Sequence, residues 1–470
     1  MATLATSQAR STFWSSLAEA LRGTQQDFTE GSISRAIFLL AIPMVLEMLM
    51  ESLFAVVDVF WVTRLGSNAI ATVGLTESML TLVFSVAIGV SMSTTAMVAR
   101  RTGEKDPHGA NTAAVQAITL GVGLALLMGI PGYWLAPRLL AAMGAPADLV
   151  QIGQRYTAIV LGGSISVMLL FLNNSIFRGA GDASVAMRVL WFSNIINLAL
   201  DPCLIFGLGP FPALGVTGAA VSTLTGRTCG VLYQFWILFR GHSRIRIRRE
   251  DLMIVPRVMF SLIRVSITGI MQFAIAHSSW ILLVRIISSF GSGAVAGYTI
   301  GIRVFIFVIL PSWGLSSAAA TMVGQNLGAG RPERAERAVY LTALYNMLFL
   351  GAVAVAFISV PEWIVSLFTS DPAIVPFGVN CLRIVAYGNL VYAFGMVMVQ
   401  AFNGAGDTVT PTIINAIGFW LCEIPLAWLL AYTAGRGVSG VFAAIPIAES
   451  LIALMGLAMF MRGTWKRRTI

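Results

Sequence analysis

Two halves of this chain keep the same register 225 residues apart. Leu65-Gly66-Ser67-Asn68-Ala69-Ile70-Ala71 returns as Phe290-Gly291-Ser292-Gly293-Ala294-Val295-Ala296, Met97-Val98 as Met322-Val323, Gly103 as Gly328 and Pro107 as Pro332. Phe177-Arg178-Gly179-Ala180-Gly181-Asp182 returns at the same shift as Phe402-Asn403-Gly404-Ala405-Gly406-Asp407. A register kept from residue 65 to residue 182 marks two copies of one module, so any fold must be built twice.

The module is too apolar for water. Hydrophobic residues make up 57% of the chain and charged residues 11%, with a mean hydropathy of +0.83. A soluble domain carries about a quarter charged residues. Apolar runs of membrane-crossing length recur, for example at 37–62, 79–99, 113–137, 156–177 and 341–361. The period-2 alternation of a membrane barrel is absent, so the spans are helices. Twelve are expected, near 34–62, 70–100, 110–137, 149–176, 184–207, 217–240, 258–289, 294–325, 335–368, 374–402, 409–432 and 440–462. The fold class is therefore all-α integral membrane, with two pseudo-symmetric six-helix lobes. Six spans per copy is an even number, so both copies enter from the same side and are related by an axis along the membrane normal. A cleft between such lobes suits transport.

The lobes take residues 34–242 and 257–462. A leader (1–33), a basic linker (243–256) and a basic tail (463–470) complete the chain. The leader shows no cleavable signal. Phe13, Trp14, Leu17 and Leu21 share one helical stripe there, so a short surface helix and a disordered tail are equally expected. Cys203, Cys229, Cys381 and Cys422 lie in apolar segments without disulfide or metal spacing.

Most of the net charge of +9 lies on one face. Arg100, Arg101, Lys105, Arg178, the arginines of 240–257, Arg331, Arg334, Arg337 and the basic tail all fall in loops on one side. The opposite loops hold little besides Arg64, Arg138 and Arg436. Cytoplasmic loops collect Arg and Lys, which places both termini inside a plasma (inner) membrane. The basic segment 240–249 then faces anionic lipid, not nucleic acid.

Intramembrane acids cost several kcal/mol and point to function. In the first span Glu51 is about 40°, and Asp58 about 20°, around the helix from Glu47, so all three share a face. Pro43, just before them, invites a bend. The fifth span adds Asn197 and Asp201, one turn apart. With Asn173 and Asn174, the first half gathers acids and amides that cannot all ionise in low dielectric and so can load and release protons. At +225 the three first-span acids become Gln272, Ala276 and Leu283. Polar residues nearby in the second half are Gln272, His277 and Glu423, so coupling is expected in the first lobe.

Structural readings compete with these. Asp58 and Asp201 could be pinned by a hydroxyl or arginine, and Glu47 and Glu51, with no obvious basic partner, could serve packing or the lipid boundary. His277 is read first as an ordinary hydrogen-bonder, and Met44, Met48 and Met50 as packing before drug surface. The Gly-Ala-Gly-Asp loops lack the lysine and strand of a phosphate cradle. They read as turns with Asp182 and Asp407 capping the next helix, and Gly324 to Gly330 reads as another turn.

Taken together, residues 33–462 resemble the multidrug and toxic compound extrusion (MATE) family. The resemblance rests on Pro43 through Asp58, Leu65-Gly66, Ala71-x-Val73-Gly74-Leu75, Arg178-Gly179-x-Gly181-Asp182, Asn197-x-x-x-Asp201-Pro202 and Val323 to Gly330. It implies two six-helix lobes forming a V around a central cavity. It also implies export of amphipathic, often cationic, small molecules by a monomer, driven by H⁺ or Na⁺ and without a cofactor. In the similar DinF-like branch, acids matching Asp58 and Asp201 are the coupling residues. Asn174, Asn197 and Thr223 match polar pocket positions there, and protonation of the first-span Asp is thought to bend the helix near Pro43. Members with a second-lobe cation site carry acids in the seventh and tenth spans. This chain offers Ala276, His277 and Tyr392 there, which argues against such a site, and Glu47 and Glu51 are additional. A lipid-linked saccharide flippase would favour a basic cavity. An intramembrane transferase would need a D-x-x-D pair or a nucleophile and base, and neither is present, so no enzyme is expected. A receptor or scaffold would not need a duplicated core with buried acids.

Overall fold

The computed structural model describes residues 13–24, 26–241, 243–468 and 470; the Phe13 side chain falls outside that description. Twelve long helices follow the leader: α1 (Ile33–Thr63), α2 (Ser67–Gly103), α3 (Pro107–Ala142), α4 (Ala147–Ala180), α5 (Ala183–Phe206), α6 (Val216–Arg240), α7 (Pro256–Ser288), α8 (Ser292–Gly328), α9 (Pro332–Ser359), α10 (Val375–Gly404), α11 (Val409–Thr433) and α12 (Gly437–Met461). Among the described residues, eleven are long and apolar enough to cross a membrane. The exception is α6, whose apolar run is diluted by Ser222, Thr223, Thr225, Arg227 and Thr228.

The duplication is visible helix by helix. Ser67–Gly103 and Ser292–Gly328 both have 37 residues and begin 225 apart. Proline opens both α3 and α9, where its missing N–H costs nothing. Gly181 and Gly406, again 225 apart, close α4 and α10 at φ +91° and +79°, values that favour glycine.

Some expectations need correction. The ninth span stops at Ser359, not 368, because Pro361 cannot continue the hydrogen-bond ladder and instead starts the short helix Pro361–Ser366. Gly324 and Gly328 are not turn residues but lie inside α8; the turn comes at Gly330 (φ +68°). The Asp182 side chain makes no cap bond to the helix that follows it. It accepts from the Ser243 hydroxyl and, at 2.8 Å, from the Arg244 amide, tying the linker to α4. Asp407 does reach the Thr410 amide at 3.4 Å, and it also pairs with Arg468 of the tail at 3.1 Å.

Among the described residues, the hydrogen bonds between the bundles lie on the arginine-rich half. Helix α2 of the first bundle packs on α7 and α8 of the second, and α1 packs on α8. Gly89 lies against Ile270 and Gly314 against Met44 about midway. Further toward the arginine-rich face, Ser93 bonds Ser266 (2.7 Å), Thr321 bonds the Arg178 carbonyl (3.0 Å) and Gln325 bonds the Gly179 carbonyl (2.9 Å). Among the described residues, no hydrogen bond joins the two bundles on the opposite half. The V therefore opens away from the arginines.

The leader strengthens that seal. Phe13–Arg22 is helical and lies along α1, in line with a surface helix and not a disordered tail. Thr24 and residues 26–31 then bridge the bundles. Arg244 donates to the Thr24 and Gln26 carbonyls, and Arg331 and Arg334 donate to those of Thr29, Gly31, Phe28 and Glu30. Burial pushes the Asp27 carboxyl up, but bonds from Thr29 and the nearby Lys105 more than offset this and hold it below the ordinary aspartate value. Its contribution is thus kept at neutral pH and lost only as pH falls through that lowered value.

A Cβ on Gly103 would sit 1.9 Å from the Gln325 carbonyl oxygen, and one on Gly328 would sit 2.1 Å from that of Arg100. Backbone atoms cannot swing aside, so Gly103→Ala or Gly328→Ala should cost the sealed state about 1–3 kcal/mol. The check is maleimide labelling of a Ser93→Cys reporter from the arginine-rich side: it should rise in either variant, and unchanged labelling would mean that this face is not the seal.

Candidate functional site

Between the bundles lies a cavity of about 440 Å³. Glu47 and Glu51, one turn apart on α1, form its acidic wall, and His277 and Tyr392 stand on the second bundle's side. Thr81 and Asn174 add polar groups, and the rest of the lining is apolar and aromatic, including Met48, Phe84, Phe171, Trp280 and Trp313. Of the first-span methionines, Met48 borders this space, Met44 lies deeper and Met50 is buried. Such a lining can hold a flat amphipathic molecule and offer it negative charge.

Glu47 does have a basic partner. Arg178 Nη1 lies 2.9 Å from Glu47 Oε1, with Glu47 only 1% exposed. Arg178 is not a loop residue: α4 continues to Ala180 and carries the guanidinium inward. Asn174 Nδ2 also donates to Glu47 Oε1 at 2.9 Å, its Oδ1 accepts from Gln234 Nε2 at 2.8 Å, and Asn173 Nδ2 donates to Gln234 Oε1 at 3.1 Å. This chain of bonds runs from α6 through α4 to α1 and pins Glu47. Asn173 is thereby a buried bracket and does not line the cavity.

The other two acids expected beside the cavity stand apart from it. Asp58, two turns beyond Glu51, is half-buried in the first bundle, within electrostatic reach of Asp201, Glu77 and Arg227. Asp201 is fully buried and accepts from Ser222 and, at 3.3 Å, from Asn197, which also donates to Thr223 at 3.1 Å. Asp58 Oδ1 and Asp201 Oδ2 have no hydrogen-bond partner. Neither acid is within ion-pair distance of a cation among the described residues. Helix α1 runs unbroken through Pro43.

In the second bundle, Gln272 is buried away from the cavity lining, with Oε1 unpartnered. His277 borders the cavity, but Nδ1 bonds only the Phe273 carbonyl one turn back (3.3 Å). Glu423 is likewise off the central cavity. It accepts from Ser279 at 2.5 Å and shares a small interior space with Glu449, Asn389 and Tyr298. It ends a stretch of wide π turns, Ala416–Glu423, just before Pro425. The second copy thus lost the first-span acids but places the buried Glu423 and the half-buried Glu449 elsewhere.

Sequence reasoning passed over Arg227, Glu77 and Glu449. Arg227 is a mid-span charge in α6 and could have been flagged on that ground alone. Glu77, ten residues into α2, is exposed and within electrostatic reach of Arg303 on α8.

The sequence profile of the MatE family matches twice, at residues 43–203 and 269–429, an offset of 269 − 43 = 226 that mirrors the internal repeat. A protein described as "Probable multidrug resistance protein NorM" from Thermotoga maritima is 26% identical over 93% of this chain and 94% of its own length. A crystal structure of MATE in complex with MaL6 superimposes with a TM-score of 0.89 at 25% identity, covering 95% of this chain and all of that one. An outward-facing multidrug resistance MATE family transporter superimposes with 0.88 at 25% identity, covering 95% of this chain and 99% of its own.

Removing one partner of a buried ion pair strands the other. Arg178→Met should lower stability by about 3–5 kcal/mol, and adding Glu47→Leu should recover much of that loss. Thermal unfolding in detergent reads both, and equal melting of Arg178→Met and the parent would show that the pair holds nothing.

Proposed function

The chain belongs to the MatE family, and from that premise we propose that it is a secondary multidrug exporter of amphipathic, often cationic, compounds. It works as a monomer in the plasma (inner) membrane, with the arginine-rich face and both termini in the cytoplasm, and exchanges cargo for H⁺. The cavity opens away from the arginines and so faces outward. Alternating access then closes this side and opens the other around the same midplane space.

The observation that carries proton coupling is the contrast between Glu47 and the Asp58–Asp201 pair. Glu47 is neutralised in place by Arg178 at 2.9 Å. Asp58 and Asp201 face each other's charge, and among the described residues neither has a cation at ion-pair distance. The groups facing Asp58 are Asp201 from α5, Glu77 from α2, Arg227 from α6 and Tyr156 from α4. Two carboxylates in one low-dielectric pocket repel, and a proton on either removes that repulsion. Protons arriving from outside weaken the acidic field at Glu51 and the cavity, so a cationic cargo leaves. Once the cleft opens inward the protons are lost and the field draws in the next molecule. Pro43, below the acids on α1, leaves one carbonyl without its helical donor, a place where the helix can bend as charge changes. Asn174, Asn197 and Thr223 hold the acids' side chains in register for this exchange.

Efflux from proteoliposomes under separately imposed pH and sodium gradients tests the proposal. A pH gradient should drive transport, and Asp58→Asn or Asp201→Asn should abolish it while the fold is kept. Full pH-driven efflux by Asp58→Asn, or dependence on sodium alone, would overturn the assignment.

A further inference from the structure

The guanidinium of Arg227 is held in an unusual way for a charge inside a helical bundle. It lies 5.9 Å from the centre of the Phe54 ring on α1 and 5.8 Å from that of Phe84 on α2. Among the described residues, its side chain has no hydrogen bond and no ion pair at bonding distance, in contrast to Arg178. Yet carboxylates surround it. Glu51 stands three residues before Phe54 and Asp58 four residues after, on one face of α1, and both feel the Arg227 charge. Two rings with acids behind them are the elements of an organic-cation site, in which ring faces and diffuse negative field replace directed bonds.

This cage opens on the transport cavity. Phe84 and Glu51 border that space, and Phe84 meets the cavity-lining Phe171 edge-on at 5.7 Å. We infer that Phe54, Phe84, Glu51 and Asp58 form an organic-cation subsite of the first bundle, occupied in this state by Arg227 as a tethered cation that a positively charged substrate displaces. The inference rests on the reading of the protein as an exporter of cationic compounds and names where they bind. A flexible arginine held by rings is exchangeable, whereas one forked onto a carboxylate is not. The displaced guanidinium also has somewhere to go, since Asp58 Oδ1 and Asp201 Oδ2 lack partners. Binding of cargo would thereby move a positive charge toward the two acids and favour release of their proton, which couples the two fluxes.

The test uses the purified full-length protein and tetraphenylphosphonium, a cation whose charge is fixed at every pH, in equilibrium dialysis. Arg227→Met removes the competitor and should tighten binding on the order of tenfold, the effect expected for one charge at this range in a partly screened site. Arg227→Lys keeps the charge and should bind much as the parent does. Phe84→Ala should weaken tetraphenylphosphonium in either background without weakening an uncharged dye. Unchanged or weaker binding by Arg227→Met would overturn the inference, as would failure of both parent and variant to bind the probe. If Arg227→Met does not fold, Arg227→Gln and the Phe84→Ala comparison in the parent carry the same decision. Because dialysis involves no gradient, tighter binding by Arg227→Met together with sodium-only transport would sink the proton reading and leave the subsite standing.

Discussion

Glu47 and Arg178 sit 2.9 Å apart in a bundle whose exterior is hydrocarbon, and most of the polar architecture is arranged around that fact. A lone carboxylate there would be very costly, and so would a lone guanidinium. Each is tolerable because the other is in place, with Asn174 donating a second bond to Glu47 Oε1 and Gln234 holding Asn174 in turn. The pair also joins α1 to α4 and so fixes where the rest of α1 points. Glu51 faces the cavity, and Asp58 faces Asp201, because Glu47 cannot rotate away.

A second arrangement depends on small residues and not on charge. Gly89, Gly103, Gly314, Gly324 and Gly328 let backbones of the two bundles approach closely enough to shut the arginine-rich side. Among the described residues, no comparable set of bonds closes the other side. The leader and tail reinforce this asymmetry by crossing between bundles through arginine-to-carbonyl bonds, those of the tail running from Arg100 to the Arg468 carbonyl (3.0 Å) and from Arg101 to that of Ile470 (3.5 Å). A seal of that kind can be undone and remade during a transport cycle, since each exposed contact contributes little alone.

The charges of the first bundle thus fall into three kinds of restraint. Glu47 is locked, Asp58 and Asp201 have no cation at ion-pair distance among the described residues, and Arg227 is held by ring faces. A transporter that trades one cation for another needs groups of the second and third kind, and needs the first to keep them in place. In the second bundle the buried Glu423, at the end of a stretch of wide turns, and the half-buried Glu449 share a small interior space. The duplication preserved the helices there but placed its acids on other spans.

The duplication, the twelve spans, the shared face of Glu47, Glu51 and Asp58 and the neighbouring Asn197 and Asp201 were all legible in the sequence. They depend on helical periodicity and on the length of an apolar run, which are local properties. Sequence alone could not tell which acid would be neutralised. Glu47 and Arg178 are 131 residues apart, and their meeting depends on the lateral packing of α1 against α4. For the same reason Gln272 and Glu423 turned out to lie off the central cavity, and Gly324 and Gly328 proved to be helix contacts instead of a turn. A helix fixes the direction of each side chain relative to its own axis. Only the tertiary packing rotates that axis and decides whether the side chain meets water, lipid or an opposite charge.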